Sequence, residues 1–176
     1  FKVSFSISGT AIDQFVEFRP DVIQSFKKLA DTSCVEFLAE TYNHSLSSLF
    51  DNEEFAFQVD KHKKAIKQYL GFETVSFRNT EMIYSDKIGE KVYEMGFDTM
   101  LSEGAKHILG WKSPNFVYVN SIQPKLKLLL RNFKLSDDIA FRFSNSNWSE
   151  WPLTAEKFTE WIDKLPENEE VVNIFM

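Results

Sequence analysis

Cysteine is nearly absent from this sequence, since Cys34 is the only one among 176 residues. A single cysteine cannot form an internal disulfide, which excludes the disulfide-stabilised scaffolds of small secreted proteins and favours a reducing compartment. We therefore predict a cytoplasmic location. Cys34 is followed by the apolar residues Val35, Phe37 and Leu38 and has no basic neighbour, so we expect a buried, unreactive thiol.

Positive charge and long apolar runs are also scarce. The chain has 20 Lys and Arg residues against 26 Asp and Glu residues, a net charge of -6 and a pI near 5.2. Proteins that bind the phosphate backbone need a basic surface, so we expect no nucleic-acid partner. No apolar run approaches the ~20 residues that span a bilayer, so we expect no membrane partner either.

Several catalytic motifs are missing. The absence of a glycine-rich phosphate loop, a nucleophile elbow and a Cys-x-x-Cys pair argues against nucleotide-binding, serine-hydrolase and thioredoxin-type functions. Glu40 and His44 have the spacing of two metal ligands on one helical face. A stable metal site needs three or four ligands, however, and the other two histidines, His62 and His107, lie in separate segments. We therefore predict neither a metal site nor a cofactor.

Apolar residues, by contrast, are plentiful. They make up 43% of the chain, and 18 residues are Phe. This composition excludes intrinsic disorder and predicts a substantial core. The length suits one domain, which we expect to cover residues 1–176.

Short apolar segments alternate with amphipathic helical segments along the chain. The apolar segments are nearly continuous, which is typical of parallel strands covered on both faces. Thr154 is an expected helix N-cap, and Gly71 and Gly96 are expected C-caps. The pattern predicts an α/β fold with a mostly parallel sheet, in which residues 104–133 form an insertion. The strand candidates are residues 1–8, 34–40, 74–80, 97–102, 139–144 and 171–176.

Three of these candidates end at a carboxylate or directly before one: Glu40, Glu81 and Glu103. Active sites of α/β proteins form at the carboxyl ends of the strands, and a pair of carboxylates is how glycosidic bonds are cleaved. The alternative for Glu40 and Glu103 is a structural role as an N-cap or an ion-pair partner. Polar and aromatic residues suited to sugar binding lie nearby in the sequence, namely His44, Arg78, Asn79, Tyr84, Trp111, Trp148 and Trp151.

Four segments of the chain resemble signature regions of glycoside hydrolase family 57. Residues 77–84 (FRNTEMIY) are similar to the third region of that family and residues 35–46 (VEFLAETYNHSL) to the second. Residues 102–115 (SEGAKHILGWKSPN) and 141–145 (FRFSN) resemble later stretches of its α-amylase-like branch. The resemblance implies an incomplete, seven-stranded TIM-like (β/α) barrel, of which six parallel strands are represented here, and a retaining mechanism with a covalent glycosyl-enzyme.

On this resemblance, Glu81 matches the catalytic nucleophile. Glu40 and His44 match positions that line the sugar site, and Arg78, Asn79 and Trp111 fall in signature stretches as further substrate-binding candidates. The family's acid/base Asp follows the last strand, in a motif expected just after Met176, and the family's first strand is expected before Phe1. We therefore expect a catalytic domain truncated at both ends, which lacks its proton donor and is inactive in isolation.

The function implied is a retaining α-glucan hydrolase that acts on α-1,4-linked glucans or maltooligosaccharides. The alternatives are a 4-α-glucanotransferase of the same family and a non-catalytic carbohydrate-binding protein. A third class is a metal-dependent deacetylase on a similar barrel, which requires an Asp and two His that converge. The oligomeric state is not predicted.

Overall fold

Strands and helices alternate along the chain in the computed structural model, which describes residues 2–176. The prediction of a mixed α/β fold with parallel strands is confirmed, while Phe1 of the first strand candidate lies outside the described residues. Across residues 2–176, none of the helices is long and apolar enough to cross a bilayer. The elements are β1 (Val3–Phe5), α1 (Gly9–Phe18), α2 (Pro20–Asp31), β2 (Val35–Phe37), α3 (Asn52–Leu70), β3 (Ser76–Arg78), α4 (Asp86–Glu94), β4 (Thr99–Glu103), α5 (Lys106–Leu109), β5 (Tyr118–Val119), β6 (Lys127–Arg131), α6 (Phe133–Asp137) and α7 (Ala155–Asp163).

The predicted helix caps are present. The Thr154 hydroxyl accepts a hydrogen bond from the Lys157 N–H at 3.3 Å and starts α7. Gly71, at φ 70° and ψ 19°, ends α3 in the left-handed conformation that glycine adopts without strain. Gly96 follows the end of α4 with φ 91°. These caps were predictable because each depends on residues that are neighbours in the sequence.

The described residues form two compact units. The first comprises the chain up to Ser102 together with Val119–Leu128, and the second comprises Glu103–Tyr118 and Leu129–Met176. The expectation of a single domain over residues 1–176 stays a prediction.

Parallel strand pairing organises the first unit. β1 pairs with β2 in the register Val3↔Val35 to Phe5↔Phe37, and β3 pairs with β4 in the register Ser76↔Thr99 to Arg78↔Leu101. A parallel bridge between Ala39 and Phe77 joins the two pairs. The carboxyl ends of β2 and β3 therefore lie side by side.

Phenylalanine side chains fill the core of the first unit, as the composition predicts. Phe37 is fully buried with Ile12, Ile66 and Leu70, and the Phe5 ring stacks on it at a centroid distance of 5.9 Å. Phe77 packs between Phe55 and Phe97, at 5.8 and 5.3 Å between ring centroids. The core thus fixes β2 and β3, the two strands that carry the site described below.

The second unit differs from the sequence-based prediction. Residues 139–144 are not a strand: α6 continues into a π-helix (Asp138–Arg142). The Asn132 side chain caps α6 by accepting from the Leu135 N–H at 3.1 Å, and Arg142 pairs with Asp138 one turn earlier at 2.5 Å. The strand here is instead β6, which lies within the predicted insertion. Of the last candidate, residues 171–176, Asn173 forms a parallel bridge with Arg131.

The prediction for Cys34 was also wrong, because this residue is exposed. The strand begins one residue later, at Val35, and Cys34 lies in the turn before it. Ser33 adopts a positive φ of 56° in that turn, and the Cys34 N–H donates to the Thr32 hydroxyl at 3.1 Å. The turn therefore keeps the thiol out of the core.

His62 is a fully buried polar residue in the first unit. Its Nδ1 lies 3.2 Å from the backbone nitrogen of Glu40, and its Nε2 lies 2.8 Å from the carbonyl oxygen of Ile7. Burial lowers the pKa of His62, an effect that the Ile7 carbonyl and the Glu40 charge partly offset. Glu40 and Tyr42 are the titratable side chains that face the imidazole, and the Tyr42 ring lies 6.5 Å away.

The lowered pKa of His62 predicts a loss of stability in mild acid. As pH falls below about 6.5, the unfolded chain gains a proton on His62 before the folded protein does, so the free energy of unfolding falls. His62 alone changes the free energy of unfolding by at most about 1.4 kcal/mol per pH unit. Urea titrations at about pH 7.5 and about pH 5.5 measure it. We expect His62→Gln to flatten the dependence and His107→Gln, an exposed position, to leave it unchanged; equal slopes in all three proteins would contradict the prediction.

Candidate active site

The chain leaves β2 and β3 at the same end of the sheet, and each strand is followed by one of the predicted carboxylates. The Ala39 N–H donates to the Ser76 carbonyl at 2.9 Å, and the Arg78 N–H donates to the Ala39 carbonyl at 2.8 Å. Glu40 follows directly after this ladder on one strand, and Glu81 follows three residues after Arg78 on the other. The sheet therefore directs both carboxylates to one edge, as the sequence predicts.

Glu40 is almost completely buried, with 2% of its side chain exposed. Its Oε1 accepts a hydrogen bond from the Ser6 hydroxyl at 3.1 Å. Its Oε2 lies 3.2 Å from His44 Nδ1 and 3.6 Å from Arg78 Nη1. A buried carboxylate is costly unless it is paired, and here a hydroxyl, an imidazole and a guanidinium supply the partners. The expected ion-pair role of Glu40 is thus present, and it lies within the site.

His44 connects the two carboxylates. Its Nδ1 faces Glu40, and its Nε2 lies 3.3 Å from Oε1 of Glu81. The contact with Glu40 does not form on a helix, the arrangement that the spacing suggested, but in a turn where His44 has a positive φ of 53°. Thr41 closes this turn, since its hydroxyl accepts from the Ser45 N–H at 2.8 Å. The turn brings together two residues that the sequence singled out for the same site.

Glu81 is held in an unusual backbone conformation. It lies in a short 3-10 turn (Thr80–Met82) with φ 52° and ψ 20°, and Met82 follows with φ 54°. A left-handed conformation costs a non-glycine residue about 1–3 kcal/mol, and such strained residues cluster at functional sites. The Glu81 side chain is 72% exposed, in contrast to Glu40. Of the two carboxylates, Glu81 is the one that a molecule from solution can reach.

Asn79 holds the turn that carries Glu81. It is fully buried, and its side-chain nitrogen donates to the Ser48 hydroxyl at 2.9 Å and to the Ile83 carbonyl at 3.0 Å. Its side-chain oxygen accepts from the Thr80 N–H at 3.0 Å. The amide of Asn79 is thus engaged in shaping the turn, and a role of this buried side chain in substrate binding stays a prediction.

Sequence reasoning missed two groups of this site. The Thr41 and Thr80 hydroxyls lie 2.8 Å apart and join the turns that follow β2 and β3. Ser6, which contacts Glu40, follows β1. The available signal was their position, because each is a hydroxyl residue directly after a strand or next to a candidate glutamate. The pairing of Ser6 with Glu40 spans 34 residues of sequence, a distance over which no local pattern operates.

Two further predicted residues belong to the second unit. Glu103, the last residue of β4, lies 3.4 Å from Arg131 Nη1, and Arg131 also contacts Asp137 at 2.5 Å. The alternative interpretation of Glu103 as an ion-pair partner is therefore confirmed. Trp111 follows α5 and is 92% exposed, so its aromatic faces are open to solvent.

Within residues 2–176, no group of three or more His, Cys, Asp or Glu side chains lies close enough together to hold a metal ion. His44 is accompanied by two carboxylates, but these are arranged on opposite sides of its ring, one at each nitrogen. The groups that the structure brings together here are two carboxylates, an imidazole and a guanidinium, which are able to serve in acid–base and nucleophilic chemistry.

The environments of the two carboxylates suit them to different tasks. Glu40 is enclosed and faces three cationic or hydrogen-bonding partners, whereas Glu81 is exposed and contacts only His44 among these groups. Pairs of carboxylates in unlike environments are typical of sites where one group reacts and the other sets the local field.

Comparison with known proteins finds a family and a relative that each match the whole chain. The sequence profile of glycosyl hydrolase family 57 matches residues 1–176. A candidate alpha-amylase of Methanocaldococcus jannaschii is 46% identical over 177 residues, which cover 100% of this chain and 37% of that protein. The chain therefore spans little more than a third of the length of this relative.

Two solved structures have a similar fold. The 4-alpha-glucanotransferase of Thermococcus litoralis superposes with a TM-score of 0.81 at 16% identity, over 99% of this chain and 26% of the other. A candidate polysaccharide deacetylase of Mycobacterium smegmatis superposes with a TM-score of 0.60 at 16% identity, over 92% of this chain and 52% of the other. At these identities the similarity concerns the fold alone, in which strands and helices alternate as they do here.

Proposed function

The chain belongs to glycosyl hydrolase family 57, and from this premise we propose that it carries the nucleophile, Glu81, of a retaining enzyme that cleaves α-1,4-glucosidic bonds. The observation that carries the proposal is the exposed Glu81 carboxylate, held on a strained turn at a strand end and contacted by His44. A retaining enzyme needs such a carboxylate, free to approach the anomeric carbon.

The proposed reaction has two steps. In the first, a carboxylate oxygen of Glu81 attacks the anomeric carbon of a bound α-glucan as the bond to the leaving oxygen breaks, and that oxygen takes a proton from an acid/base group. In the second, water gives its proton to the same group and attacks the anomeric carbon, which releases Glu81 and the sugar with its configuration retained. We assign the acid/base group to no residue of this chain.

The other residues of the site support Glu81. His44 donates to the Glu81 carboxylate from Nε2 when that nitrogen carries a proton, which fixes the direction in which the carboxylate points. Glu40 faces Nδ1 on the far side of the imidazole, and Arg78 contacts the same Glu40 oxygen, so both charges influence His44. Arg78 is 26% exposed and can reach a sugar hydroxyl from its place beside Glu40. For Trp111, stacking on a sugar ring stays a prediction.

Hydrolysis is preferred over glucan transfer because the relative at 46% identity carries an alpha-amylase name, whereas the likeness to the glucanotransferase is one of fold. Both reactions share the covalent intermediate, and they differ in whether water or a sugar hydroxyl accepts the glucosyl unit. The substrate proposed is an α-glucan or a maltooligosaccharide.

Incubation of the full-length gene product with maltoheptaose tests this proposal. Proton NMR during the first minutes identifies the anomer released, and chromatography separates the products by length. We expect the α-anomer and products shorter than the substrate. Initial release of the β-anomer would contradict a retaining mechanism, and glucans longer than the substrate as main products would establish transfer in place of hydrolysis.

A further inference from the structure

His62 contacts the backbone of Glu40, a residue of the candidate active site, yet the proposed reaction does not use it. It belongs to α3, is fully buried, and contacts residues on two other segments of the chain: Ile7, which follows β1, and Glu40, which follows β2. These contacts span 55 and 22 residues of sequence. A polar side chain with this placement has to match its surroundings closely, because an unpaired buried polar group is costly.

The two contacts fix the tautomer of the imidazole. The partner of Nδ1 is the Glu40 backbone N–H, which is a donor, so Nδ1 has to be the unprotonated acceptor. The partner of Nε2 is the Ile7 carbonyl, an acceptor, so Nε2 carries the proton. Protonation of Nδ1 would place two donors against each other. The neutral Nε2–H form is therefore the one that fits, and the desolvation that lowers the pKa of His62 favours the same form.

Glu40 is consequently held from both ends. Its backbone is bound by His62, while its carboxylate is bound by Ser6, His44 and Arg78. Ser6 itself precedes Ile7, the second partner of His62, so the imidazole fixes both the residue that donates to Glu40 Oε1 and the backbone of Glu40. A shift of either segment would alter the distance between Glu40 and His44, and through His44 the placement of Glu81.

We propose that His62 is a positioning residue: its neutral imidazole clamps the segments that carry Ser6 and Glu40, and thereby sets the geometry of Glu40, His44 and Glu81. This inference rests on the proposed function of that site. Misplacement of a reacting group by about 1 Å can cost about 10²-fold in rate, so an effect transmitted through two contacts is measurable. Binding of the substrate in its ground state depends less on this geometry than stabilisation of the transition state does. We therefore expect kcat to fall by a larger factor than KM rises.

Three variants of the full-length gene product separate positioning from general stability. His62→Phe keeps an aromatic ring of somewhat larger volume but leaves the Glu40 N–H and the Ile7 carbonyl unpaired. His62→Gln retains one acceptor and one donor. Ile66→Ala, four residues later on α3, removes a fully buried side chain in the Ile12 and Phe37 cluster and leaves the His62 contacts intact. Circular dichroism at the assay temperature gives the folded fraction to which every rate is normalised.

We expect His62→Phe to lower kcat by at least about tenfold with KM changed by less than about threefold, and His62→Gln to restore kcat to within about threefold of wild type. Ile66→Ala keeps the wild-type kcat per folded molecule. Wild-type kcat in His62→Phe, or an equal loss of kcat in Ile66→Ala, overturns the proposal.

Two measurements that do not depend on turnover test the positioning role of His62 even if the proposed reaction is wrong. Nitrogen-15 NMR of the wild-type imidazole should show a protonated Nε2 and an unprotonated Nδ1 at neutral pH, and a crystal structure of His62→Phe should show the Glu40 carboxylate displaced by more than about 0.5 Å, the tolerance of a working site. A protonated Nδ1, or an unmoved Glu40, overturns the positioning role. Absence of glucan turnover in the wild type refutes the function of the site, and the NMR and crystal results then decide on His62 separately.

Discussion

Replacement of Glu81 by Gln is expected to lower the kcat of the full-length gene product on α-1,4-glucans by about 10³-fold or more. The amide keeps the shape of the side chain and can still hydrogen bond to His44, but it cannot form the glycosyl ester. Binding of maltooligosaccharide should remain within about tenfold of wild type, because the sugar contacts are unchanged. Initial rates and isothermal titration calorimetry measure the two quantities on the same preparation.

Glu73→Gln is the matched control for this variant. Glu73 precedes β3 and Glu81 follows it, so the two substitutions make the same chemical change at opposite ends of one strand. Glu73 is exposed and forms a surface ion pair with Lys67 at 2.5 Å, a contact of small energetic weight. We expect wild-type kcat in Glu73→Gln. A Glu81→Gln variant with more than about a tenth of the wild-type rate would show that Glu81 is not the nucleophile.

Glu40→Gln is expected to have the second largest effect, a decrease of about 10²-fold in kcat/KM. The substitution keeps the volume and leaves an acceptor for Ser6, but it removes the negative charge that His44 and Arg78 face in a buried environment. Preorganised charges of this kind act strongly because little solvent screens them. Steady-state kinetics with maltooligosaccharides of fixed length measure the change.

The control for Glu40 is Glu36→Gln, four residues earlier. Like Glu40, Glu36 accepts a hydrogen bond from a serine that lies more than 30 residues earlier in the chain: the Ser4 hydroxyl donates to it at 3.2 Å. This pair, however, is exposed. We expect a change in kcat/KM of less than about threefold in Glu36→Gln. Equal effects in the two variants would mean that the buried charge of Glu40 contributes nothing specific to the site.

Local patterns predicted those parts of the fold that depend on neighbouring residues. The Thr154 cap, the Gly71 C-cap and the parallel strands before Glu40 and Glu81 could be read from the sequence, because capping and apolar periodicity act within one or two turns. The prediction of a strand at residues 139–144 was wrong because it too used only local patterns. Their apolar character suits a strand, but the Asn132 cap and the Asp138–Arg142 pair continue a helix through them.

The sequence predicted which residues form the candidate site better than it predicted how they contact one another. Glu40, His44, Arg78 and Glu81 meet in one place, as the strand ends and the family resemblance indicated. The sequence did not reveal that His44 lies between the two carboxylates, that Asn79 is buried as a support, or that Ser6 and His62 hold Glu40. Each of those contacts depends on the tertiary fold, which brings together residues that no sequence period relates.

The role of Glu81 as the nucleophile is tested most directly by trapping the covalent intermediate. The full-length wild-type protein and its Glu81→Gln variant are incubated with a fluorinated α-glucosyl fluoride that forms the glycosyl-enzyme faster than it is hydrolysed, then quenched, digested and mapped by mass spectrometry. We predict one added sugar on the wild-type peptide that contains Glu81 and none on the corresponding peptide of the variant. A sugar attached to another carboxylate, or equal labelling of both proteins, would contradict the assignment.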